Sequence, residues 1–178
     1  MSKNNWSKTF KKNKYRIYLG LIGLFVLFIL SIFIKNGISN HSLKNYENDI
    51  LIVKDNNDNQ KSFSLKELRS YKNIDQKISL NNNREEVNVT GVPLEQLLGD
   101  LSYNLEESPE ILVEDSNGKT ETLPMSVALE VNRILVVYKI NGKANKDYDK
   151  TLGSFTLIDT TDKSKDSRIK DAKVLSIQ

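Results

Sequence analysis

Hydrophobic residues fall along this chain in three patterns. Ile17–Ile34, IYLGLIGLFVLFILSIFI, is an eighteen-residue run without a charge. In TGVPLEQLLGDL, Leu94, Leu97, Leu98 and Leu101 repeat at i, i+3, i+4 and i+7, one face of a short helix. Gly91 opens that stretch, and Pro93 suits its first turn because the N–H that proline lacks would have no intrahelical partner there. Glu95 falls on the outer face. The third pattern is a series of short apolar runs separated by turn residues, which predicts strands.

In chain order, Asp49–Val53 is the first predicted strand, and the turn-rich DNNDNQ follows it. Phe63 resumes a strand, and Ser64-Leu65-Lys66-Glu67 is a capping-box pattern that opens a helix to about Tyr71, with Leu65 and Leu68 inward. Lys77–Leu80 and Glu86–Thr90 are strands around the Asn81–Asn83 turn. Glu110–Glu114 and Lys119–Leu123 flank Asn117-Gly118, a hairpin signal because both residues tolerate positive φ. Pro124 opens a helix with Val127, Ala128 and Val131 on its apolar side. Ile134–Ile140, ILVVYKI, has too many adjacent apolar residues for a half-exposed strand and is expected to be central. Asn141-Gly142 turns the chain into a charged loop, Lys143–Lys150. Ser154–Ile158 and Ala172–Ile177 alternate as strands around a polar loop, Asp159–Lys170. Strands outnumber short helices, so the fold class is α+β in one domain, residues 49–178.

At about 1.5 Å per residue, Ile17–Ile34 spans about 27 Å as a helix, close to the ~30 Å hydrocarbon core of a bilayer. A cleaved signal peptide is the competing reading, but its apolar region is usually only ~7–15 residues and ends in small residues. Here the run ends in Ile32, Phe33, Ile34 and Lys35. The expectation is an uncleaved anchor in a cell membrane. Charge fixes its direction. Residues 1–34 hold six basic residues and no acid, and only Lys35 follows closely, so the basic tail 1–16 is expected in the cytoplasm. Residues 35–48 then read as a polar stalk, and the domain lies outside.

Composition narrows the chemistry. The net charge of +3 averages a basic N-terminus of +6 and a remainder of −3, which gives no support for a nucleic-acid partner. There is no cysteine, so disulfides and thiolate metal sites are excluded. His41 is the one histidine and falls in the stalk, which argues against serine–histidine–acid catalysis and histidine-held zinc in the domain. Asp55–Asn59 resembles the start of a calcium loop, but such a loop needs glycine where Gln60 stands and glutamate where Lys66 stands. The acid pairs Glu106–Glu107, Asp147/Asp149 and Asp159/Asp162 lie in predicted loops, where carboxylates are ordinarily just solvated. Asn88-Val89-Thr90 fits a glycosylation pattern inside a predicted strand.

From Ser62 to Gln178, 117 of the 178 residues, the order of features resembles the sulfite-oxidase-like molybdopterin-binding oxidoreductase domain. Three stretches carry it. FSLKELRSY, KISL and VTGVPLEQLL are similar to that family's strand, cofactor loop and leucine-rich helix. ILVEDSNGKTETLPM is similar to its hairpin before a helix, and ILVVYKINGKANKD with LGSFTLI and KVLSIQ to its closing strands.

The resemblance implies the scaffold but not the metal chemistry. The family's molybdenum-bound cysteine would fall near Asn82, and an amide cannot replace a thiolate toward a soft, high-valent metal. Its histidine-glycine-x-proline-x-arginine segment becomes LGSFTL, without histidine or arginine, and Arg84 is the one nearby counterpart to its phosphate-holding basic residues. No cofactor is therefore expected. The expected function is a non-catalytic extracytoplasmic module that binds a small anionic ligand or an envelope protein partner. Its candidate binding residues are Asn81, Asn82, Asn83 and Arg84, expected beside the N-terminus of the Pro93 helix as a relic anion pocket. The plainer alternative is that these four residues are only a hairpin turn. The rival functions are a divergent pterin oxidoreductase, an accessory subunit of a membrane redox system, and a structural part of an envelope complex.

Overall fold

The computed structural model describes residues 14–55, 59–80, 85–99, 101, 109–162 and 168–178. Contacts divide the chain into two units, Met1–Ile38 and Ser39–Gln178. Helix α1, Lys14–Lys44, fills the described part of the first unit and continues into the second. Its side chains from Tyr18 to Phe33 are all exposed, Leu19 and Phe33 to 70%. A helix that buries a stripe in a core is polar on its other face, and this one is apolar all round. Of the uncharged run Ile17–Ile34, the described side chains are the sixteen from Tyr18 to Phe33, and among the described residues no helix is long and apolar enough to cross a membrane.

The second unit is two sheets with short helices, the α+β class expected. In chain order its elements are β1 (Ile50–Lys54), β2 (Gln60–Ser64), α2 (Leu65–Leu68), β3 (Ile74–Leu80), β4 (Glu85–Pro93), α3 (Leu94–Gly99), β5 (Glu110–Asp115) and β6 (Thr120–Pro124). There follow α4 (Met125–Ala128), β7 (Ile134–Ile140), β8 (Lys143–Ala144), α5 (Asn145–Tyr148), a 3-10 turn (Lys150–Leu152), β9 (Thr156–Asp159), β10 (Arg168–Ile169) and β11 (Ala172–Ile177). One sheet runs β2-β1-β11-β5-β6, and its first and last strands in sequence, β1 and β11, pair in parallel with Ile52 opposite Val174. The other runs β10-β9-β7-β4-β3, with β8 paired to β7.

Strand β7 is central, as its unbroken apolar run predicts, and its pleat feeds two cores. Ile134, Val136 and Tyr138 join the cluster that contains Leu51, Leu94, Leu98 and Leu175. Leu135, Val137 and Ile140 join a second cluster with Val87, Leu152 and Ile158. The capping box forms as read: the Glu67 N–H donates to Ser64 Oγ at 3.2 Å, and the Ser64 N–H to Glu67 Oε2 at 2.7 Å.

Four local expectations are corrected. Thr90–Pro93 are strand, and the helix begins only at Leu94; Leu94, Leu97 and Leu98 are fully buried and Leu101 half-buried. Gly91 is required by sheet packing instead of helix entry. A Cβ there would lie 2.7 Å from the Val136 carbonyl oxygen, at the register shift between β4 and β7. Helix α4 stops at Ala128, which leaves Val131 78% exposed in the following turn. The segment Lys143–Lys150 is no loop: it carries β8, α5 and the start of the 3-10 turn, with Ala144 and Asn145 buried because they cover β7.

The stalk also differs. Helix α1 continues to Lys44, and from Ser39 the chain belongs to the folded unit. Leu43 is 2% exposed in the main core, and the Ser42 hydroxyl donates to Asp147 while accepting the Ala144 N–H at 2.8 Å.

Candidate functional site

The residues singled out for ligand binding, Asn81, Asn82, Asn83 and Arg84, lie outside the described residues. Their flanks are placed. Leu80 and Glu85 face each other at the end of the β3–β4 hairpin, and the Tyr148 hydroxyl donates to Glu85. That bond, with burial added, pushes the Tyr148 phenol up to about 12. Glu85 and Pro93 are the two ends of β4, roughly 26 Å apart at ~3.3 Å per residue. Helix α3 therefore starts roughly 26 Å from Glu85.

The segment LGSFTL is placed in full, and it faces inward. Leu152, Ser154, Phe155, Thr156 and Leu157 are all buried, and Ser154 Oγ donates to the Asp49 carboxylate. Gly153 sits at φ 63°, with the Asp171 carboxylate and Cα where a side chain would have to go. Nothing in this stretch presents a polar side chain to a ligand.

The acidic candidates are bound into the fold. Asp147 accepts from Ser42 and from the Tyr46 hydroxyl, and these hydrogen bonds hold its carboxyl below the usual range. Asp149 is held low by the Thr151 N–H and hydroxyl, with Lys170 and Arg168 adding positive field. Burial alone would raise Asp159, but Thr161 and the Arg133 guanidinium together outweigh it and hold it low. Glu106 and Glu107 lie outside the described residues. Asp55 accepts from the Asn59 backbone and side chain, which makes it a turn-closing residue. Among the described residues no three His, Asp or Glu side chains converge to hold a metal ion. Thr90, the last residue of the glycosylation pattern, is buried with its hydroxyl on Asp75.

The feature that the sequence did not single out is a polar cleft of about 570 Å³. One wall is the β5–β6 hairpin, with Lys119; the other is formed by Lys150, Thr151, Arg168 and Lys170, ahead of Asp171. Two segments that the sequence reads as polar loops, Lys143–Lys150 and Asp159–Lys170, thus contribute Lys150 and Arg168 to one concave surface. The walls are tied together: the Asp171 N–H donates to the Leu152 carbonyl at 2.9 Å, and the Ser116 hydroxyl donates to the Asp171 carboxylate. Chemically, the cleft is lined by lysine and arginine cations and by the carboxylates of Asp115, Glu121 and Asp171.

No protein-family model matches the chain, and neither does any curated protein sequence. Among solved structures the chain is similar to the sulfane dehydrogenase SoxCD from Paracoccus pantotrophus, with a TM-score of 0.59 and 15% identity, over 74% of this chain and 38% of that one. At that identity the likeness concerns the fold alone, and the fold is distantly sulfite-oxidase-like.

Proposed function

We propose that this chain is a membrane-anchored, extracytoplasmic binding module built on a sulfite-oxidase-like scaffold, and that it does not work as a molybdenum oxidoreductase. The observation that carries the second half is the inward-facing segment Leu152–Leu157. Where the resemblance places a histidine and an arginine, this chain packs Leu152 and Leu157 into its cores. With no cysteine anywhere in the sequence, the donor set does not fit a molybdenum–pterin group. The scaffold is then left for binding a small anionic ligand or an envelope protein partner, since fold does not carry activity with it.

The first half rests on the uncharged run Ile17–Ile34, the exposed apolar side chains from Tyr18 to Phe33, and the six basic residues that precede the run. Two measurements test the reading. Metal analysis of the purified full-length chain is expected to find no stoichiometric molybdenum; finding it would favour the rival oxidoreductase. External protease on intact cells is expected to remove the domain and spare the basic tail. A protected domain would reverse the orientation, and a mature chain starting after Ile34 would remove the anchor.

A further inference from the structure

The charged cleft is unevenly committed. Its three carboxylates are each turned to a partner within the fold: Asp115 accepts the Asn117 and Lys119 N–H groups at 2.8 and 2.9 Å, Glu121 accepts from Lys119 Nζ at 2.6 Å, and Asp171 accepts from Ser116. Its lysines on the opposite wall are not so committed. Among the described residues no carboxylate forms an ion pair with Lys150 or Lys170; Lys170 adds only field to Asp149, and its Nζ meets the Thr151 hydroxyl at 3.5 Å. The backbone that carries them is fixed, because Asp171 and Ala172 each donate an N–H across to the 152–155 segment at 2.9 Å. With the backbone already placed, only the two lysine side chains are left to order when an anion arrives.

We propose that this cleft binds the phosphate group of a small ligand, with Lys150 and Lys170 as its cationic contacts. Lysine ammonium groups act as point charges and suit a tetrahedral oxyanion, whose negative charge is spread over several oxygens. A cleft of about 570 Å³ falls in the ordinary range for whole small-molecule ligands, so the phosphate is one end of a larger molecule. The inference deepens the binding-module reading and rests on it. Free organic phosphates and the phosphodiester headgroups of lipids share this chemistry.

The test is calorimetric titration of the full-length chain in neutral non-ionic detergent with two probes, inorganic phosphate and glycerophosphoglycerol. Saturable binding of at least one probe at a single site is expected, weakened roughly tenfold or more in Lys150→Ala/Lys170→Ala and unchanged in Lys77→Ala, whose ammonium pairs with Glu86 on another face. Tighter binding of inorganic phosphate assigns a soluble ligand, and tighter binding of the diester assigns a lipid headgroup. Absence of saturation with both probes overturns the proposal. So does undiminished binding by the double variant with an unchanged melting temperature. Failure here would leave the molybdenum and protease results standing, whereas stoichiometric molybdenum would remove the module reading and leave the titration intact.

Discussion

Lys146 donates from Nζ to the Asp49 carboxylate at 2.7 Å, which joins α5 to the residue immediately before β1. Ser154 donates to the same carboxylate, so Asp49 gathers three parts of the chain at one end of the two sheets. Tyr46 adds its ring beneath the Lys146 ammonium, 5.2 Å from the centroid.

This arrangement predicts a pH dependence. Burial, the largest single influence on Asp49, pushes its carboxyl up, but the bonds from Lys146 and Ser154 and the charges of Lys146 and Lys173 outweigh it and hold the group low. A carboxyl lowered on folding contributes stability that is full above its unfolded value of about 3.9 and is lost as pH falls through the folded value. Asp49→Asn should therefore cost about 1–2 kcal/mol at neutral pH, a charge-assisted figure reduced for partial solvent screening. The deficit should shrink below about pH 4. Urea titrations at pH 7 and pH 3 check it: an equal deficit at both would mean the bonds do not depend on the charge.

The domain boundary yields a second prediction. A fragment starting at Asp49 discards Leu43, which is 2% exposed, together with the Ser42 and Tyr46 bonds to Asp147 and the 3.1 Å Glu47–Arg69 pair. Burial of one leucine is worth about 1.5–3 kcal/mol, and each hydrogen bond to the exposed Asp147 carboxylate about 1. Net of the cost of ordering the added residues, residues 39–178 should be more stable than residues 49–178 by about 2–4 kcal/mol in denaturant. Equal midpoints would place Ser39–Asn48 outside the folding unit.

Helix α3 gives a third. Leu97→Ala or Leu98→Ala should cost on the order of 2–5 kcal/mol, since both side chains are fully buried. Glu95, expected on an outer face, is half-buried and accepts the Asn132 N–H at 3.1 Å, where Asn132 holds φ 58°. Its alanine variant should cost about 1 kcal/mol, more than the roughly 0.5 kcal/mol of an uninvolved surface site. Chemical denaturation of the three variants orders them, and a neutral Glu95→Ala would show that the bond does not brace the turn.

What the sequence disclosed and what it hid divide along the range of the forces involved. The Ser64–Glu67 capping box, the leucines of α3, the Asn-Gly hairpin and the central Ile134–Ile140 strand are all set by neighbours within a few residues, and each is where its pattern places it. Gly91 misled because a glycine before proline has the same letters whether it opens a helix or lets a strand approach Val136. Ala144 and Asn145 sit in a charged stretch, yet they are buried because β7 needs cover; the Asn145 amide donates to the Val137 carbonyl at 2.8 Å. The cleft was hidden for the same reason. Lys119, Lys150 and Lys170 are far apart in sequence and meet only through strand pairing and the Asp171–Leu152 bond.

The last prediction concerns the missing thiolate. A cysteine at Asn82 would supply the one soft donor that the resemblance calls for, and an accessible thiol is partly ionised near its ordinary value of about 8.5. A single sulfur does not hold the group. The pterin's phosphate needs basic partners, and the segment that resembles the family's histidine–arginine stretch is buried from Leu152 to Leu157 without a cationic side chain. Reopening it would expose Phe155 and Leu157, at about 1.5–3 kcal/mol each. Asn82→Cys is therefore expected to carry no more molybdenum than the native chain when both are produced in cells that make the cofactor and are measured by elemental mass spectrometry. Near-stoichiometric metal in the variant would mean that one atom separates this chain from an oxidoreductase, and the non-catalytic reading would have to be given up.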